Sequence, residues 1–181
     1  MTWPNWLWLA LFLIFFIWYL SNLAGRLDRL HLKAEAAKLS LDTQLAHRTS
    51  AIGRLVEKLS AKKIVIDSFV SAWQSALKIE SSEKFDPSQW DLESNLTKEL
   101  NQLFISQSWL LTDKEFSRLL EDLAAACRRV QYARAFHNDA QSNALKVRRR
   151  ILVRGFRLAG RAKPPKGIDF DDQIPPGLVN R

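Results

Sequence analysis

The sequence predicts an all-α protein, in which an N-terminal transmembrane helix continues into an up-and-down antiparallel four-helix bundle with long first and last helices. Three observations carry this. The first charged side chain is Arg26, and the stretch before it, from Trp3 to about Ala24, consists almost wholly of Leu, Ile, Phe and Trp. Chain breakers are scarce: the 181 residues hold six glycines and six prolines, and only Gly53 and Pro87 lie between Gly25 and Gly155. Apolar residues recur at three-then-four spacing along two long segments, and nowhere alternate as a half-buried strand requires.

The apolar stretch comes first. About 20 residues of helix, rising about 1.5 Å each, cross the hydrocarbon core of a bilayer. Trp3, Trp6 and Trp8 crowd one end and Trp18 and Tyr19 the other, as an aromatic belt requires, with Phe12, Phe15 and Phe16 between them. A secretory signal peptide would open with basic residues and close on a small-residue cleavage pattern; Ser21-Asn22-Leu23-Ala24 is a poor one. A buried core helix would need apolar partners on every face, which the charged remainder does not offer. Arg26, Arg29, Lys33 and Lys38 follow the span and nothing basic precedes it, so the positive-inside rule puts the C-terminal side in the cytoplasm and the short N-terminus outside. The expected location is the inner (plasma) membrane, crossed once. A lone Cys127 agrees with a reducing compartment.

The remaining ~155 residues suffice for one compact domain. The expected division is an anchor over residues 1–24, a cytoplasmic bundle over 25–154, and a tail over 155–181 that is basic, then acidic and proline-rich, and extended or partly disordered. The first bundle helix follows Leu20, Leu23, Leu27, Leu30, Ala34, Ala37 and Leu41, then Leu45, Ile52, Leu55, Val56 and Leu59. Its leucine spacing runs straight out of the span, which makes the anchor the root of a rigid helix. Whether this helix breaks near residue 60 or continues to about residue 80 stays open, because no Gly or Pro marks the break. Ile64, Val65, Phe69, Ala72, Trp73, Ala76 and Leu77 suggest a short helix ending by Ser81-Ser82, and Leu92, Leu96, Leu100, Leu103 and Phe104 another that Ser88 or Asp86 can cap and that ends near Ser106. The last helix opens with Thr112-Asp113-Lys114-Glu115, read as a capping box between Thr112 and Glu115. It carries Phe116, Leu119, Leu123, Ala126, Val130, Ala133, His137, Ala140, Ala144, Val147 and Ile151 at heptad spacing. The two long helices span roughly 37 and 39 residues, about 55–60 Å each.

Among candidate sites the strongest is basic. Lys146, Arg148, Arg149, Arg150, Arg154, Arg157 and Arg161, with Lys163 and Lys166, occur without an acidic residue between Asp139 and Asp169. If the last helix returns to the membrane, these side chains reach anionic headgroups, each contributing on the order of 1 kcal/mol. Leu152, Phe156 and Leu158 interleave as in an interfacial segment. The bland alternative pairs the run with Asp169, Asp171 and Asp172. Nucleic acid is the least favoured partner, since no recognised module accompanies the charge.

The other polar groups read as structural. His137 is a satisfied, half-buried histidine with no metal partner at helical spacing; His31 and His47 are structural or exposed; Cys127 is an inert residue at the edge of the packed face. Glu121 with Asp122, and Asp171 with Asp172, are placed on exposed positions where nothing perturbs them. No phosphate-binding loop, dinucleotide fingerprint, H-E-x-x-H or G-x-S-x-G is present. No enzymatic activity, cofactor, metal or small-molecule substrate is expected. Prolines, acids and a few apolar anchors beyond Gly160 suit a peptide that docks on a partner or on the chain's own bundle.

Two stretches carry a family resemblance. Leu41-Asp42-Thr43-Gln44-Leu45-Ala46-His47-Arg48 followed by Ile52-Gly53-Arg54-Leu55-Val56 resembles the L-D-x-Q-L-x-x-R and I-P-N-L-V signature of the LemA family of bacterial membrane-anchored proteins. Arg134-Ala135-Phe136-His137-Asn138-Asp139-Ala140 is similar to that family's R-x-x-Y-N-D-A motif. Gly53 stands in place of the proline, Arg54 of the asparagine and His137 of the tyrosine, and an arginine-rich run replaces the family's later motifs. The resemblance covers about Leu20 to Arg154 and implies a membrane-anchored four-helix bundle without an established reaction. The combined expectation is a non-enzymatic interaction or scaffold module with an anionic lipid surface and unidentified protein partners. The alternatives are an accessory subunit of a larger membrane complex and a membrane-tethered nucleic-acid binder.

Overall fold

The computed structural model describes residues 5–64, 66–80, 88–150, 155 and 167–179. Among them the regular elements are all helical: α1 (Asn5–Ala61), α2 (Asp67–Glu80), α3 (Gln89–Ser106) and α4 (Lys114–Arg148), with short 3-10 turns at Ser108–Leu111 and Pro176–Leu178. The long first and last helices, of 57 and 35 residues, flank two short ones. The chain forms two compact units, Met1–Ala37 with Asn138–Gly167, and Lys38–His137 with Ile168–Arg181.

α1 has no break at the end of its apolar stretch, because no residue there opposes helix and the leucine period continues. It stops at Ala61, which settles the question left open by the sequence. Lys63 takes a left-handed conformation at φ 59°, the Ile64 amide donates to the Leu59 carbonyl (3.0 Å), and the Lys63 amide donates to the Ser60 carbonyl (2.9 Å). This is a Schellman closure with lysine in the position glycine usually holds. Ile64 then folds back on the cluster that contains Leu59, the apolar contact that accompanies such a closure.

In the larger unit α1 and α4 are antiparallel. Leu41 and Leu45 pack with Val130 and Ala133, while Arg54 faces Asp122 and Lys58 faces Glu115 farther along. α2 and α3 fill the other side, and Ile52, Leu55, Phe69, Leu96, Leu100, Leu103, Phe116 and Leu123 meet in one apolar cluster. The Trp73 ring of α2 packs against Gly53 and donates its indole N–H to the Thr49 carbonyl at 3.1 Å; a Cβ at Gly53 would sit 3.0 Å from the ring.

Several local expectations are corrected. α4 is capped by Asp113, whose Oδ1 accepts the Glu115 amide at 2.9 Å, whereas the Thr112 hydroxyl donates back to the Trp109 carbonyl. Glu115 is drawn instead to Lys58 and Lys62, so the Thr112–Glu115 box does not form. Ser88 occupies the N-cap of α3 but makes no side-chain cap bond, and Asp86 lies outside the described residues. On α4 it is Leu120, not Leu119, that is fully buried.

Residues 168–178 are integral to the larger unit. Ile168 and Phe170 join Leu41, Leu45, Val130 and Ala133, and Leu178 is buried with Leu110 and Phe116. The docking surface for this part of the tail is therefore the chain's own bundle.

Candidate functional site

In the smaller unit α1 changes character along its length. Trp6, Leu7, Trp8, Leu9, Leu11, Phe12, Phe15, Ile17, Trp18 and Tyr19 are exposed, with Phe16 partly covered by its stacking on Phe12 (centroids 6.0 Å apart). Trp3 lies outside the described residues. From Leu23 onward the helix buries a stripe. A contiguous apolar surface of this extent marks contact with a membrane or with another protein. Among the described residues one helix, α1, is long and apolar enough to cross a membrane, and only 6 % of its most apolar stretch is buried inside the protein. A core helix would be mostly covered.

Leu23, Leu27 and Val147 form a small apolar cluster, with Leu30 packed against it. Val147 lies in the last turn of α4, so this contact holds the basic end of α4 beside the end of the exposed apolar segment. Lys146, Arg149 and Arg150 are exposed there, and Arg148 is half-buried and engaged. Arg154, Arg157 and Arg161 lie outside the described residues. The smaller unit thus joins an apolar surface to a cationic collar.

The larger unit holds polar groups whose roles the sequence did not disclose. Arg48 interrupts the apolar stripe of α1, and its side chain is buried. Its Nη2 donates to Glu93 Oε2 and its Nη1 to the Thr97 hydroxyl at 3.2 Å. Thr97 in turn donates to the Glu93 carbonyl at 3.1 Å. The signal was available: a charge occupies the stripe position between Leu45 and Ile52, and Glu93 precedes Leu96 and Leu100 at helical spacing.

His137 is 1 % exposed, not half-buried, and faces Asp42 and Lys38 of α1. Burial pushes its imidazole below the ordinary histidine value; the Asp42 charge opposes this and Lys38 adds to it. Burial likewise raises the Asp42 carboxyl, against Lys38 and His137. Cys127 is buried as well, not at the edge of the packed face, and that burial raises its thiol above the ordinary cysteine value and disfavours the thiolate. Among the described residues no group of three or more His, Cys, Asp or Glu side chains could hold a metal ion.

Arg134 organises the returning tail. Its Nε and Nη2 grip the two carboxylate oxygens of Asp172 at 2.7 and 3.1 Å, and its Nη1 reaches Asp169 at 3.1 Å. Phe170 stacks on Trp90 with centroids 5.4 Å apart, and the Arg134 guanidinium lies 5.7 Å from the same ring. The Gln131 side chain donates to the Asp172 carbonyl, and the Asp171 amide to the Ser94 hydroxyl. Asp172 is therefore buried and paired, against the expectation that it is exposed. The tail acids whose pairing is described answer Arg134, while Asp171 is exposed and accepts the Gln173 amide.

Parts of the stretches that carry the resemblance (Leu41–Arg48 with Ile52–Val56, and Arg134–Ala140) meet here: Asp42 faces His137, and Leu41 and Leu45 share a cluster with Val130 and Ala133, next to Arg134. Comparison of the chain with protein-family models, with curated proteins and with solved structures finds no match.

Proposed function

We propose that this chain is a single-pass protein of the inner membrane, of the LemA type, whose helical bundle lies in the cytoplasm and serves as a non-enzymatic interaction or scaffold module. The observation that carries the reading is the junction of the smaller unit, where Leu23, Leu27 and Val147 set an exposed apolar helix beside exposed Lys146, Arg149 and Arg150. Apolar side chains followed by basic ones is the order in which acyl chains and anionic headgroups meet a protein. The meeting of the two LemA-like stretches at Asp42 and His137 supports the family reading, since residues that share a site have a physical reason to occur together.

The test is a pair of fusions at residue 181. A cytoplasmic C-terminus makes a fluorescent reporter bright and an exported phosphatase inactive, and the protein stays in the membrane through alkaline carbonate. An active phosphatase, or release by carbonate, overturns the topology. A nitroxide on Arg149→Cys in a Cys127→Ala background is expected to be broadened by a nickel-chelating headgroup lipid; no broadening removes the headgroup contact. A second reading, accessory subunit of a larger complex, is favoured by Tyr132 and Phe136, which lie 73 % and 62 % exposed one turn apart on α4.

A further inference from the structure

On the outer face of the α1–α4 pair, in the larger unit, a cavity of about 230 Å³ opens between the two helices. Its lining has a repeated form. α1 supplies His47, Ser50, Ala51 and Arg54, and α4 supplies Asp122, Ala125, Ala126 and Arg129. Each set falls at i, i+3, i+4 and i+7, so each is one continuous helical face: a charged or titratable residue at either end and small ones between. The small residues keep the floor low and leave the space.

Because the helices are antiparallel, the ends of the two sets meet in opposite order. At one end Arg54 is answered by Asp122, loosely, at 3.8 Å with both side chains about half exposed. His47 and Arg129 line the other end, both exposed, and neither has a hydrogen-bond or ion-pair partner among the described residues. One end of the cavity is neutral and the other lacks an anion. Ser50 adds a hydroxyl donor, and the Arg54 guanidinium, held only loosely by Asp122, lines the same space.

We propose that this cavity is a binding site for a phosphoryl group, held by Arg129, His47 and Ser50 with Arg54 as the fourth contact. Guanidinium forks match the spacing of phosphate oxygens, and an anion there forms charge-assisted hydrogen bonds with both. Two arginines, an imidazole and a hydroxyl offer more donors than the two oxygens of a carboxylate use, which selects a phosphate. The volume is below the usual range for drug-sized ligands, and so fits a phosphate with a small organic group or the headgroup of a phospholipid. The site does not depend on the topology or family proposed above.

The test uses the full chain in nanodiscs of zwitterionic lipid at fixed ionic strength. The protein has three histidines, so isotope-labelled imidazole gives a resolvable spectrum in which His47→Gln assigns one signal. Inorganic phosphate is titrated against chloride in one arm, and phosphatidic acid replaces part of the lipid in the other. A saturable shift of the His47 signal is expected in at least one arm. The soluble arm would identify a free phosphorylated ligand and the lipid arm a headgroup. Arg129→Gln is expected to weaken the response at least about tenfold. Arg128→Gln, one residue outside the lining, is expected to leave it unchanged. No shift in either arm, or equal loss with both variants, overturns the site. A response that persists in folded Arg129→Gln does the same.

Discussion

Arg48 and Glu93 show how one buried charge constrains a core. Each charge is desolvated, and their attraction offsets that cost only while both are present. Glu93→Ala leaves the guanidinium buried without its counter-charge and is expected to cost about 3–5 kcal/mol in urea unfolding of the larger unit. The double change Arg48→Met with Glu93→Leu is expected to recover most of that loss, because an apolar pair of similar volume needs no compensation. Equal loss in the double variant would mean that packing, not charge, sets the cost. His137 gives a pH-dependent counterpart. Its folded value lies below the ordinary 6.5, so as pH falls through 6.5 the unfolded chain takes up a proton that the folded chain refuses. Stability is therefore expected to fall with pH in the window between 6.5 and the folded value. Titration of the His137 ring signal checks this, and Asp42→Asn, which removes a charge that raises the value, is expected to lower it further.

At the scale of elements, ends were harder to read than faces. The stripes of α1 and α4 were legible because burial repeats every turn, and Leu23, Leu27, Ala34, Ala37, Leu41, Ile52, Leu55 and Leu59 are buried as the spacing requires. The end of α1 was not legible, since Lys63 carries no glycine signal, and neither was the cap of α4, where Asp113 and Thr112 are both competent and only the chain's path from Trp109 chooses between them. The buried pairs leave no local mark in the sequence, because each joins residues distant along the chain and a single stripe does not say which helix lies opposite. Lys63 also supplies a prediction. A non-glycine residue in the left-handed region costs about 1–2 kcal/mol, and glycine there costs about 0.5–1 kcal/mol through unfolded-state entropy. Lys63→Gly is thus expected to stabilise the α1–α2 junction by about 0.5–1 kcal/mol, as a rise in melting temperature. A fall would show that the Lys63 side chain makes an interaction that outweighs the strain.

For the whole molecule, the tail is the surprise. Its prolines and acids read as a peptide in search of a surface, and composition alone does not say that Trp90, Ser94, Gln131 and Arg134 are that surface. Replacing Ile168, Phe170 and Leu178 with alanine removes three anchors, each worth about 2–5 kcal/mol on truncation when buried in a core. A marginally stable bundle cannot absorb that sum. The triple variant is expected to lose cooperative unfolding and to expose Trp90, seen as a red shift in tryptophan fluorescence that a Trp90→Phe background lacks. Native-like cooperativity would mean that the segment is an appendage.

That arrangement also sets an order of events during synthesis. The apolar start of α1 is made before the rest of the four helices and is complete while they are still being synthesised. The surface that includes Leu41, Leu45 and Trp90 waits for residues 168–178, which leave the ribosome after all four helices. Joining partners so far apart in sequence is slow, and until it happens an apolar groove stands open to water. The nascent protein therefore passes through a stage in which its bundle is nearly assembled yet still adhesive, and this is the interval in which a chaperone or a neighbouring copy has access to it.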